Sequence, residues 1–259
     1  MKIKINNCSS PGASFTANTE KVMLACYDWI QENKDEHKDF IDFRKEVSKA
    51  KNFNDNNARN IYPLLLKAGF IDYMPKTKLE YKKFFTKLGA AYIKSIQLIQ
   101  SINNSEDYDK KQKLLAIKEA TNIKEEIVYS GLINLIKTDS NYKKELKEMI
   151  RFLINYEKIN KFEFAYMLYT LQNEKRMDVN KINLYRNNDI TIEVEIEVRN
   201  DIDIRNEMGI TRIEGIDYLT SYSYFTSILE QCGLIIKNKD YFEININNKG
   251  KLTKLLEVE

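Results

Sequence analysis

The chain has 259 residues, 43% of them hydrophobic, with 41 Lys and Arg against 38 Asp and Glu for a net charge of +3. That supplies one large core or two small ones and excludes a disordered polyelectrolyte. Charge this nearly balanced means that any polyanionic partner must be met by a local basic surface, not by the molecule as a whole.

Cys8, Cys26 and Cys232 lie far apart with no paired spacing, the usage expected of reduced thiols in the cytoplasm. No apolar run reaches the length of about 18 residues that a membrane helix needs, and "MKIKINNCSSPGASF" lacks the apolar centre of a secretory signal. The expected location is cytoplasmic, with no membrane partner. A single histidine, His37, sits in the charged stretch "ENKDEHKDF". Histidine-rich zinc sites and Ser/His/Asp or Cys/His triads therefore have no material to work with.

Eight Gly and three Pro in the whole chain predict a helix-rich protein with few tight turns. Residues 18–33 place Val22, Ala25, Cys26, Trp29 and Ile30 on one stripe, capped by Asn18 or Thr19. A second helix, "KDFIDFRKEVSKA", carries Phe40, Phe43 and Val47. After the polar connector "KNFNDNNAR" comes a third, with Ile61, Leu64, Leu65 and Ala68 at helical spacing and Gly69 as its stop. "FIDYMPKTKLEYKKFF" reads as two short strands around a turn at Pro75 to Lys78, and "TKLGAAYIKSIQLIQSI" as a helix opening at Thr86.

Three helices, two strands and a helix in that order make a winged helix, a helix-turn-helix fold with a hairpin wing. "NNARNIYPLLLKAGF" then holds the recognition-helix position, with its polar start outward and its apolar stripe packed inward.

Residues 106–175 read as four amphipathic helices opening beside Ser105, Asn122, Ser140 and Asn160, the last with Glu163 in a capping box. "DITIEVEIEVRND" alternates apolar and acidic residues, as a strand with one wet face does. The last sixty residues repeat the earlier logic: a hydroxyl-rich helix start, a stripe of Phe225, Ile228, Leu229 and Cys232, a stop at Gly233, and a wing "LIIKNKDYFEIN" turning at Lys237 to Asp240. The expected architecture is mainly α with small β wings, two winged-helix subdomains joined by a helical block: 1–105, 106–175 and 176–259. The block's last helix, 160–173, is expected to open the second winged helix.

Three stretches, "LLLKAGFIDYMPKTKLEYKKFFTKLGAAYIKS", "INKFEFAYML" and "SYSYFTSILEQCGLIIKNKDYFEININNKGKL", resemble the DNA-recognition region of type IIS restriction endonucleases of the FokI, AlwI and BpuJI kind. They cover about half the chain and include that family's threonine-x-x-Gly-x-x-Tyr run. The resemblance implies several winged-helix subdomains reading an asymmetric double-stranded DNA site, with cleavage by a separate nuclease domain or subunit. This chain then needs no cofactor of its own, and Mg²⁺ enters only with an attached nuclease.

A restriction-type nuclease centre needs an acid on one strand and an acid-x-Lys on the next. Asp72 with Glu80 and Lys82 is the candidate frame, and an ordinary wing with surface charges is the favoured account of it. Triplets such as Glu145-Leu146-Lys147 fall in helical charge runs. No Walker-type loop or dinucleotide fingerprint is present.

For DNA contact, Asn54, Asn56, Asn57, Arg59 and Asn60 are side chains that pair bidentately with adenine or guanine, worth roughly 1 to 3 kcal/mol of discrimination per good pair. The competing account is helix capping. Lys67, Lys76, Lys78, Lys82 and Lys83 suit phosphates around the first wing. In the second unit Thr220, Ser221, Tyr222, Ser223, Tyr224 and Thr226 are the reading candidates, with Lys237 and Lys239 on the wing. There the alternative is capping by hydroxyls and packing by tyrosines. Tyr156, Phe162, Phe164, Tyr166 and Tyr169 have the composition of a stacking platform for single strands, but their helical spacing favours a core stripe. Two other classes compete with restriction: a plasmid replication initiator or transcription regulator with two winged helices, and a protein-binding scaffold.

Overall fold

The computed structural model describes every residue except 7, 35–37, 75–76, 108, 139–140 and 200–210, and the side chains of residues 56, 57, 198, 199, 211 and 212 also lie outside the description. Along the chain run β1 (Lys2–Asn6), α1 (Ala17–Glu32), α2 (Phe40–Ala50), α3 (Asp55–Ala58), α4 (Ile61–Lys67), α5 (Tyr81–Phe84), α6 (Lys87–Asn104), α7 (Lys110–Lys137), α8 (Lys143–Tyr156), β2 (Lys158–Ile159), α9 (Lys161–Gln172), α10 (Val179–Arg186), β3 (Glu193–Arg199), β4 (Thr211–Glu214), α11 (Thr220–Gln231), β5 (Ile235–Asn238), β6 (Tyr241–Ile244) and α12 (Lys249–Glu257). The protein is mainly helical, with two small sheets in the strand orders β1-β3-β4 and β2-β6-β5.

These elements form two compact units that interleave along the chain. The amino-terminal unit holds residues 11–140, 227–233 and 258–259, and the carboxy-terminal unit holds 1–10, 141–226 and 234–257. The three consecutive blocks expected from sequence are not the grouping found, because the intended helical spacer is divided: α7 belongs to one unit, α8 and α9 to the other.

In the amino-terminal unit an aromatic cluster forms the core. Trp29 meets Phe43 edge-on at 5.3 Å, and Phe70 stacks on Tyr92 at 4.9 Å with Phe15 against it. Cys26 is buried there beside the Tyr62 hydroxyl, and burial pushes its thiol up to about 12. The helix expected to break at Asn122 runs on: α7 is one helix of 28 residues, opened by a reciprocal capping box between Asp109 and Gln112. Its first twenty residues hold no Gly or Pro to interrupt it, and the break predicted at Asn122 rested on a capping residue type alone.

The first wing departs from expectation. Among the described residues of 70–85 there is no ladder, only the isolated bridges Ile71↔Phe85 and Asp39↔Lys78, and Tyr81–Phe84 is a helical turn. Tyr81 and Phe84, three residues apart, are both buried against Phe43. A helical turn puts that pair on one side, whereas a strand would send them to opposite faces.

The carboxy-terminal unit contains both sheets. Strand β3 lies where the alternation predicts it, and its acidic face is met by an unanticipated parallel neighbour, β1: Lys2 pairs with Glu195 at 2.6 Å and Lys4 with Glu197 at 2.5 Å. Ile3, Ile5, Val194 and Ile196 are buried on the other face. Burial also raises the thiol of Cys8, just after β1, to about 11. The second ribbon does form as predicted, with β5 and β6 antiparallel, Asn238 opposite Tyr241, and Lys239 at φ 55° in the two-residue turn. Strand β2 adds to the outer edge of β6.

Candidate functional site

The start of α4 is built from α2. Asp39 accepts from the Asp42 N–H and caps α2, and Arg44 on that helix pairs with Asp55 at 2.8 Å, fixing the first residue of α3. Ser48 Oγ also reaches Asp55, at 3.3 Å. The α3–α4 junction that follows is outward: Asn54, Arg59 and Asn60 are exposed. Asn60 stands at the N-cap of α4 yet makes no side-chain cap bond, so capping does not account for it. Asn56 and Asn57 lie on α3, and their side chains are outside the description.

The far end of α4 is held tightly. Gly69 stops the helix at φ +74°, and side chains from elsewhere collect three successive carbonyls. Thr138 Oγ1 donates to Lys67 O at 3.5 Å, Asn134 Nδ2 to Ala68 O at 3.0 Å, and Thr86 Oγ1 to Gly69 O at 2.6 Å. The threonine-x-x-Gly-x-x-Tyr run gains a physical meaning here. Thr86 also caps α6 by accepting from the Gly89 N–H, and a Cβ on Gly89 would lie 1.8 Å from the Phe70 carbonyl oxygen. Tyr92 completes the run by stacking on Phe70.

Around the first ribbon, Lys67, Lys78, Lys82 and Lys83 are exposed, while Lys76 lies outside the described residues. Lys82 and Lys83 sit on α5 rather than on a strand, and Lys83 pairs with Glu80 at 2.7 Å. Asp72, Lys78, Glu80 and Lys83 share a groove of about 250 Å³ that does not include Lys82. The Asp72, Glu80, Lys82 nuclease frame is thus not assembled, since its acid-x-Lys half leads into a helix instead of a paired strand. Among the described residues no three Asp, Glu, His or Cys side chains cluster as metal ligands would.

In the second candidate, α11 separates the predicted residues by face. Thr220 and Ser223 are exposed and Tyr224 is half-buried. Ser221 is fully buried, and Tyr222 is 8% exposed with its hydroxyl donating to Ile159 O at 3.3 Å. Those two are corrected from reading residues to core residues: residues 221, 222 and 225 fall on the inward side of a helix, which a run of polar letters conceals. Thr226 is likewise buried, bonded to Tyr222 O at 2.8 Å. Lys237 and Lys239 are exposed on the ribbon. Phe164 and Tyr166 of the aromatic stripe are core, as helical spacing favours.

Sequence reasoning missed the groups that orient these helices. Arg186 on α10 donates to Glu163 at 2.6 Å, to Tyr156 O at 3.1 Å and to Lys158 O at 2.8 Å, tying together α8, β2 and α9. Glu163, 1% exposed, is also the capping-box acid of α9. Asn134 was legible as the one amide inside the apolar stripe "GLINLIK", a position where a polar group needs a reason.

Compared with known protein families, with curated proteins and with solved structures, the chain matches none.

Proposed function

We propose that this protein binds double-stranded DNA sequence-specifically through two winged-helix units, as the target-recognition part of a restriction endonuclease whose cleavage comes from a separate nuclease domain or chain. The observation that carries the reading is a recurrence. In the carboxy-terminal unit α8, β2, α9, the first part of α11 (Thr220–Thr226), β5 and β6 follow one another with sheet order β2-β6-β5, the order of a winged helix carrying α10, β3 and β4 as an insertion before its third helix. In the amino-terminal unit α1, α2 and α4 precede the ribbon segment, and the bridge Asp39↔Lys78 stands where β2 pairs with β6.

Both third helices start with exposed polar side chains, end at a left-handed glycine and lead into a lysine-bearing ribbon. Arg59 and Asn60 in one, Thr220 and Ser223 in the other, are the base-reading candidates that remain outward. Lys78, Lys82, Lys237 and Lys239 are the phosphate contacts. Mg²⁺ is required only when the nuclease partner is present.

Selection from a random duplex pool tests the reading. An asymmetric enriched site, lost at particular positions in Arg59→Ala, is the expected result. A symmetric or iterated site supports a replication initiator or transcription regulator instead, and no enrichment at low salt supports a protein-binding scaffold.

A further inference from the structure

A cavity of about 350 Å³ opens within the carboxy-terminal unit, away from the residues assigned to DNA. Lys158, Arg186 and Lys249 line it together with Glu157, Glu243 and Ile246. Its size falls in the range of small-molecule sites.

The walls are fixed by the fold of this unit. Arg186, its side chain 19% exposed, has its charge answered by Glu163 at 2.6 Å and its guanidinium held by the carbonyls of Tyr156 and Lys158. Strand β6 brings Glu243 opposite Lys158 of β2, and the turn Ile246–Asn248 leads into Lys249, the first residue of α12. Glu157 ends α8 at φ 65°, the left-handed conformation in which glycine is unstrained, so a carboxylate is kept at the cavity against the preference of its backbone.

Four charges are then left facing this space, Lys158 and Lys249 against Glu157 and Glu243. Among the described residues none of the four closes an ion pair, and Lys158 lies over the Tyr241 ring at 4.5 Å instead of meeting Glu243 across the ladder. In the other sheet of the same unit such pairs do close, Lys2 on Glu195 at 2.6 Å and Lys4 on Glu197 at 2.5 Å. Two charges of each sign that converge without neutralising one another are complementary to a molecule carrying both signs, whereas a plain anion or cation would meet like charge. Ile246, 75% exposed, adds an apolar surface at the same cavity.

We propose that this cavity binds a small zwitterion with an apolar body, the chemistry of a free amino acid or a dipeptide. Glu157 and Glu243 accept from its ammonium group, Lys158 and Lys249 donate to its carboxylate, and Ile246 packs on its side chain. Arg186 is a positioning residue that holds the wall through the Tyr156 and Lys158 carbonyls. The site uses none of the residues proposed to contact DNA.

Calorimetric titration of the full-length protein with leucine, leucyl-leucine, N-acetyl-leucyl-leucine and leucyl-leucinamide tests it. Saturable binding of leucine or leucyl-leucine is expected, the tighter of the two identifying the source, and blocking either end of leucyl-leucine should weaken it at least about tenfold, the scale of losing a charged hydrogen bond. Lys249→Met should weaken the free dipeptide by a similar factor with no further loss on the amide, whose carboxylate is already gone. Glu243→Gln should weaken the free dipeptide with no further loss on the N-acetyl form. No saturable binding at millimolar concentrations, blocked and free forms binding alike, or variants folded by circular dichroism that bind as wild type does each overturn the inference. The selection of duplex sequences is a separate measurement, so failure here leaves the DNA-reading proposal standing, and failure there leaves this one.

Discussion

The carboxy-terminal unit carries a paired ribbon and the amino-terminal unit a ribbon-like segment after α4, and the two are held in place by different physics. In the carboxy-terminal unit β5, β6 and β2 exchange ladder hydrogen bonds, and the junction beneath them is locked by the Arg186 to Glu163 pair. In the amino-terminal unit the described residues of the corresponding segment have only isolated bridges, and aromatic packing holds it instead. Tyr73 stacks on Phe40 at 3.8 Å, while Tyr81 and Phe84 pack on Phe43. A ribbon can be carried by backbone bonds or by rings, and the choice decides which substitutions break it.

The sharpest way to break that contrast is to remove each keystone. Phe43→Ala takes a fully buried ring from the aromatic cluster and should cost about 3 to 5 kcal/mol. Arg186→Met leaves Glu163 buried without its partner and should cost a similar 3 to 5 kcal/mol. The only tryptophan, Trp29, belongs to the amino-terminal unit, so its fluorescence during urea unfolding reports that unit by itself. Phe43→Ala should shift the fluorescence midpoint strongly. If Arg186→Met shifts it as much, the two units do not have separate keystones.

The two ribbons also differ in how far they could be read from the sequence. The second was legible because "LIIKNKDYFEIN" places apolar residues around a two-residue turn, and local pattern agrees with the ladder formed. The first was misread because Tyr81, Phe84 and Phe85 suit a strand by type, while tertiary packing on Trp29 and Phe43 selects a helical turn. Helices α1, α2, α4 and α6, and the Gly69 stop of α4, were legible from spacing and residue type. Strand β1 was missed although "KIKIN" alternates, since its partner β3 lies about 190 residues away and no local signal names it. At the candidate site, residue type marked Arg59, Asn60, Lys67, Lys78, Lys82, Lys83, Lys237 and Lys239 as surface residues, and these are exposed. It could not separate Ser223 from Ser221, whose difference is one of helix face.

Glycine substitutions sharpen the comparison at smaller cost. Gly89→Ala drives a methyl into the Phe70 carbonyl and should destabilise the amino-terminal unit by about 1 to 3 kcal/mol, read by Trp29 fluorescence. Gly250→Ala in α12 of the carboxy-terminal unit meets nothing within 4 Å and should be neutral or stabilise by up to about 1 kcal/mol through helix propensity. A Gly89→Ala protein as stable as wild type would mean that α6 does not need its close approach to Phe70.

The smallest expected effects concern substitutions of the lysines, which should leave folding untouched and change only the proposed DNA binding. Lys83 already faces Glu80 at 2.7 Å, so part of its charge is answered within the protein, while Lys82 beside it on α5 is exposed. In a plot of log affinity against log salt each phosphate contact contributes a slope of about −0.9. Lys82→Ala should flatten the slope by close to that amount and Lys83→Ala by less. Glu80→Gln, by releasing Lys83, should steepen it. Equal slopes for all three variants would place the amino-terminal segment away from the phosphates and leave Lys237 and Lys239 of the other ribbon as the backbone contacts, so that the proposed sharing of phosphates between the two units would fail.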